Sequence, residues 1–228
     1  MKTILIIFSA NAEWKAAKAY YRDFQIQMTP YGEFFEIRQR EQSRVYLQGG
    51  WGKISSAASA QYGIQRWDPV LVINIGTCGG FEGRIKSGTI ILVERTCVYD
   101  ILEQMGDADQ ALEFYSVSLD LNWLKTPYPQ PVLRGLLLSA DRDIVLDEIS
   151  GLVDKFNGVA ADWESGAIAW VCKQNEVRTL ILRGVSDIVG VNGAEAYGTM
   201  DFFQQSSQNI VTGILKYLDF WIVSAGIP

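Results

Sequence analysis

The chain contains no histidine. That absence removes every Ser-His-Asp and Cys-His catalytic arrangement, and every histidine-ligated metal centre. Acid–base chemistry near neutral pH then falls to Asp, Glu, Lys, Tyr or Cys. Cysteine is scarce as well. Cys78, Cys97 and Cys172 are far apart and form neither a CxxC pair nor an even-numbered disulfide framework. They fit small buried thiols in a reduced, cytoplasmic setting. No apolar run reaches the ~18 residues that a membrane span needs, so no membrane partner is expected. A basic excess is also missing. Lys and Arg number 20 against 26 Asp and Glu, a net charge of −6, which suits neither nucleic-acid backbones nor anionic membranes.

What is present is enough apolar material for one substantial core. Hydrophobic residues make up 48% of 228 positions, a length that fits a single domain over 1–228. Continuous apolar runs recur at Thr3–Phe8, Val70–Ile75, Thr89–Val93, Leu133–Leu138 and Thr179–Val185, with weaker ones at Val45–Gln48 and Val159–Asp162. Runs without polar alternation are strands covered on both faces. Helical stretches separate them, at Ala12–Arg22, Lys53–Trp67, Asp147–Phe156, Glu164–Gln174 and Phe202–Phe220. The alternation predicts an α/β fold, a central mixed sheet flanked by helices. Tyr99–Tyr128 lacks clear periodicity and reads as an excursion that covers or borders a site. The first run precedes Ala10-Asn11-Ala12, which resembles a signal-peptidase site, but it is short for an export signal and reads as a buried strand.

Ligands in such sheets sit beyond the carboxyl ends of strands. The residues expected there are Glu13, the glycine loop Gly76-Thr77-Cys78-Gly79-Gly80, Asp162-Trp163-Glu164 and Ser186-Asp187. Each has a plainer reading. Acids at a helix start cap it and favour its dipole, and glycines after a strand make a turn. Gly49-Gly50-Trp51-Gly52-Lys53 is not a Walker loop: Leu47 stands where the first glycine belongs, and Ile54 replaces Ser or Thr.

Taken in order, these segments resemble a known superfamily. Gly49–Lys53 followed by a small-residue helix, then Val72–Gly80, is similar to the first half of the purine nucleoside phosphorylase/nucleosidase superfamily. Ala161–Ala169 (ADWESGAIA) and Arg183–Asp187 (RGVSD) resemble its second half, nearest to the bacterial methylthioadenosine/S-adenosylhomocysteine nucleosidases. The resemblance implies cleavage of a purine nucleoside's N-glycosidic bond, with no metal or organic cofactor and a homodimeric state. It implies that Asp187, aided by Ser186, protonates the leaving base, that Glu164 holds ribose hydroxyls, and that Glu13 and Arg183 position a water near Thr77. Asp162, Trp163, Cys78, Gly79, Asp143 and Ile144 would line the substrate. Glu13 in an anion pocket would repel phosphate, so hydrolysis is expected over phosphorolysis. A phosphorylase and a nucleoside-binding domain without activity remain the alternatives.

Three departures from the family concern specificity. Trp163 stands where these nucleosidases carry Met, and Asp143 where they carry an aromatic residue that sandwiches the base. Their histidine after the fourth run is missing near Tyr99-Asp100. An indole in place of Met crowds the pocket or adds a stacking face. The expectation is a site biased away from methylthioadenosine.

Overall fold

The computed structural model describes residues 2–39, 41–190 and 193–227. Its chain runs β1 (Lys2–Phe8), α1 (Asn11–Tyr20), β2 (Gln27–Met28), β3 (Glu33–Gln39), β4 (Gln42–Gln48), α2 (Gly52–Trp67), β5 (Leu71–Phe81) and β6 (Ile90–Val98). It continues through α3 (Ala108–Phe114), β7 (Val117–Ser118), β8 (Leu133–Ser139), α4 (Ile149–Phe156), β9 (Ala160–Asp162) and α5 (Ser165–Gln174). The last elements are β10 (Thr179–Gly190), β11 (Gly193–Ala194), α6 (Met200–Leu215) and α7 (Leu218–Ser224).

All these strands join one mixed sheet, as the alternating runs predict. Parallel pairs β4–β1–β5–β10 form its centre. Strands β10, β6, β8, β9 and β5 are neighbours in series, and β10 also pairs with β5, so these five close into a ring. The first apolar run shows why helices cover both faces. Ile4, Ile6 and Phe8 pack with Trp14 of α1, Ile210 and Ile214 of α6, and Trp221 of α7. Leu5 and Ile7 point the other way, against Ala60 and Ile64 of α2 and Ile168 and Val171 of α5. Alternation along a strand sends successive side chains to opposite faces, so a run apolar at every position needs two layers of helix.

Several boundaries differ from the expected ones, each for a physical reason. Gly76–Gly80 is not a loop after a strand but the second half of β5. Likewise Ser186-Asp187 lies inside β10 rather than beyond it. Glycines here serve close approach: a Cβ on Gly80 would sit 2.7 Å from Val185 Cγ1, and one on Gly76 would sit 1.9 Å from Arg183 Nη1. The expected helix Phe202–Phe220 breaks at Lys216-Tyr217 into α6 and α7. The excursion after Tyr99 carries the short α3, capped by Asp107 through the Asp109 and Gln110 amides, and β7. Among the described residues, no helix is long and apolar enough to cross a membrane.

Candidate active site

Glu13 sits at the third position of α1, where an acid favours the helix dipole. Its Oε2 accepts from the Ser9 and Ala10 amides at 3.1 and 3.0 Å, which is the ordinary work of a capping acid. The other oxygen does something a cap does not require. Oε1 accepts from the Thr77 amide at 2.6 Å and the Thr77 hydroxyl at 2.9 Å, and it lies 3.5 Å from Arg183 Nη1. Gly76 allows this, because a Cβ there would fall 2.5 Å from Glu13 Oε1.

Arg183 is fully buried and holds the cluster together. Its register partner on β5 is Gly76. Nε lies 3.0 Å from Asp162 Oδ2 and donates to Ser165 Oγ at 2.9 Å, and Nη2 donates to Asn74 Oδ1 at 2.7 Å. Glu164 Oε2 is 3.9 Å from Nη2. Burial alone would lower the guanidinium pKa, but Asp162, Glu13 and Glu164 more than offset it, so the charge is held more firmly than usual.

One guanidinium faces three buried carboxylates, Glu13, Asp162 and Glu164. Burial, opposed by Arg183 and reinforced by Asp162 and Glu13, pushes Glu164 up to about 8. That residue makes the longest of the three contacts with Arg183. It also accepts a hydrogen bond from the Gly52 amide at 3.2 Å, which ties the start of α2 to the site. Asp162 is committed differently. Its oxygens accept from Ser139 Oγ at 2.6 Å, from the Ser165 amide at 3.1 and 3.2 Å, and from the Ser165 hydroxyl. With Arg183 as well, Asp162 is a residue that fixes its neighbours.

A second centre lies two residues along β5. The register of β10 on β5 slips between Val185 and Asp187, a β-bulge at Ser186. On a regular strand, adjacent side chains point to opposite faces, and a bulge re-aims them. Ser186 Oγ accordingly donates to Asp187 Oδ1 at 2.5 Å and also lies 3.2 Å from the Cys78 carbonyl. Burial raises the Asp187 pKa from its ordinary value. The Ser186 and Ala196 hydrogen bonds oppose the rise, and Glu195 and Asp143 add to it.

The remaining expected residues are placed as follows. Gly79 pairs with Asp187 across the strands, and a Cβ on it would meet Ile144 Cδ1 at 2.7 Å. Cys78 is buried, with Sγ 3.7 Å from the Gly184 carbonyl; burial pushes its thiol well up, away from any thiolate role. Asp143 is exposed and acts on Asp187 through charge. Trp163 is half-buried and stacks on Trp51.

The sequence reading missed several participants. Asn74 also donates to the Ile7 carbonyl at 3.1 Å, so its amide is held at both ends; an Asn inside the run VLVINI was the signal, since a buried amide needs partners. Tyr197 donates its hydroxyl to the Ile144 carbonyl at 3.2 Å, next in sequence to Asp143. Lys53 pairs with Asp100 and lies 3.9 Å from Asp141, and this joins α2 to the excursion after Tyr99. Among the described residues, no three Cys, Asp or Glu come together in a way that could hold a metal ion.

Comparison with known proteins bears on the fold and the family. The chain is similar to a 5′-methylthioadenosine/S-adenosylhomocysteine nucleosidase of Bacillus cereus, 26% identical over 191 residues, covering 77% of this chain and 80% of that protein. It is similar in fold to the nucleosidase of the same name from Helicobacter pylori, with a TM-score of 0.79, 16% identity, and 96% and 98% of the two chains covered. The Neisseria meningitidis nucleosidase gives a TM-score of 0.73 at 20% identity, with 95% and 99% covered. The family model of the phosphorylase superfamily matches residues 3–218, and the chain belongs to that superfamily.

Proposed function

We propose that this chain, acting as one domain over residues 1–228, hydrolyses the N-glycosidic bond of a purine nucleoside and releases free base and sugar. Breaking that bond leaves an electron pair on the base and positive charge on the ribosyl ring. Asp187, with its raised pKa, carries a proton to N7 of the purine as the bond to the anomeric carbon breaks. Glu164 holds the ribose hydroxyls. The developing ribosyl cation adds positive charge beside Glu164 and so favours its ionised form.

Water then attacks the anomeric carbon and gives up a proton to Glu13. The four donors Ser9 N, Ala10 N, Thr77 N and Thr77 Oγ already fill the acceptor positions of the Glu13 carboxylate. The Thr77 hydroxyl is therefore the group that receives the water: it accepts from the water and donates to Glu13. Arg183 and Asp162 keep this arrangement rigid. Cys78, Gly79, Asp143 and Ile144 border the base.

The observation that carries the hydrolytic reading is Glu13, whose carboxylate is buried against Arg183. A phosphate approaching the same place would meet that negative charge at low dielectric. Incubation with purine and pyrimidine nucleosides, followed by chromatography, tests the reading. Free purine base is expected, and its absence from every purine tested would refute it.

A homodimer in the cytoplasm is part of the same proposal. Leu102 and Met105 are 85% and 100% exposed, and Phe114 is 59% exposed, large apolar side chains on the segment between β6 and β7 that a second copy would cover. Sedimentation of the purified chain at twice the monomer mass would agree, and a monomer would not.

A further inference from the structure

Trp51 and Trp163 come from distant parts of the chain and stack. Their ring centroids are 5.1 Å apart and their planes differ by 23°. Trp163 lies between Asp162 and Glu164 and is half-buried. Trp51 caps α2, follows Gly50 at φ +81°, and is 70% exposed. One of its faces meets Trp163 and much of the rest is open to solvent. The next residue, Gly52, donates its amide to Glu164 at 3.2 Å, so the pair is anchored against that carboxylate. An indole this exposed adds little to the core, and a flat pair beside a buried carboxylate presents a surface suited to a planar ring.

We propose that the Trp51–Trp163 pair is a stacking platform for a planar aromatic group carried on the 5′ carbon of the nucleoside. The inference rests on the hydrolase reading above and names the substrate class of that site. In that reading the base occupies the Asp187 end, among Ser186, Glu195 and Asp143. Glu164 engages the ribose hydroxyls, and the anomeric carbon carries the base. The 5′ carbon is the ribose position left to bear a substituent, and the surface adjoining Glu164 at Gly52 is the indole pair. A small alkyl group there would cover only part of one indole. An aromatic ring would extend the stack by one more layer.

The test compares kcat/KM for three adenine nucleosides bearing 5′-phenylthio, 5′-cyclohexylthio and 5′-methylthio groups. Phenyl and cyclohexyl match in size and differ in planarity. The wild-type chain is expected to prefer phenylthio over cyclohexylthio by about tenfold or more, within the range that one pocket contact discriminates. Trp51→Ala should collapse that ratio towards one, and Trp51→Phe should restore most of it. Equal cleavage of the phenyl and cyclohexyl compounds by wild type, or a ratio unchanged in Trp51→Ala, would overturn the platform and leave the hydrolase reading standing. Release of base from none of the three, nor from other purine nucleosides, would overturn the hydrolase reading and the platform with it.

Discussion

The amide and hydroxyl of Thr77 both donate to one oxygen of Glu13, at 2.6 and 2.9 Å, although 64 positions separate the two residues. The contact joins the first turn of α1 to the centre of β5. It turns an acid that could merely cap a helix into one whose second oxygen faces the ring of strands. In the proposed reaction, a proton taken from water at Thr77 would pass directly to that carboxylate.

Removing either member should stop turnover without abolishing binding. Glu13→Gln keeps the shape but cannot take up the proton, and a fall in kcat of about 10²–10⁴ is expected. Thr77→Val keeps the shape of its side chain and loses the hydroxyl, so its kcat should fall while nucleoside affinity holds. Steady-state kinetics with a parallel binding titration checks both. A normal kcat in Glu13→Gln would remove this residue from the reaction.

Asp187 makes a prediction about pH. Its pKa is raised by burial, and the role assigned to it requires the protonated form. Turnover should therefore fall on the alkaline side, as pH rises through that pKa. Asp187→Asn cannot supply a proton and should lose about 10²-fold or more in kcat, along with that limb of the profile. A pH–rate profile of the two proteins decides it.

Arg183 is the counter-charge for the carboxylates. Arg183→Met leaves Asp162 and Glu13 buried without it, and breaking a buried pair in this way costs about 3–5 kcal/mol. For a chain of this size, that corresponds to a fall in Tm of more than ~6 °C. Thermal unfolding of the variant beside wild type measures it. A change within experimental error would mean that solvent or a proton already compensates the cluster.

Much of the central sheet was legible in the sequence, because a run such as TILIIF must bury both of its faces. The acids that gather around Arg183 were legible as interruptions at the ends of those runs, whereas Asn74 and Tyr197 were not singled out. The edge was harder. Strand β3, EFFEIRQ, alternates poorly and pairs with β4 and the two-residue β2 at the margin of the sheet, where burial imposes little pattern. The extents of β5 and β10 were hidden because glycine and Ser-Asp pairs usually end strands. Here side chains such as Arg183, Ile144 and Val185 press against β5 closely enough to require the glycines, and a bulge accommodates Ser186. The Trp51–Trp163 stack links positions 112 residues apart along the chain, as Gly52 and Glu164 do, and no local pattern marks such a contact.

Glu164 links the site to stability. Its folded pKa is raised to about 8 from 4.5, so the folded chain binds more protons than the unfolded one between those values. Its contribution to stability is complete below 4.5 and is lost as pH rises through about 8. Glu164→Gln removes this titration. Between pH ~5.5 and ~8, wild type should lose Tm relative to the variant, by roughly 2 °C or more. Parallel slopes for the two proteins would show that Glu164 does not titrate in this range.

The most direct test of hydrolysis is to follow the sugar product of a purine nucleoside that the chain cleaves, with and without excess phosphate. The site built on Glu13, Thr77 and Arg183 predicts free sugar in both cases, at rates that do not depend on phosphate. Sugar 1-phosphate appearing in proportion to added phosphate would contradict it and would make the Arg183 pocket an anion site.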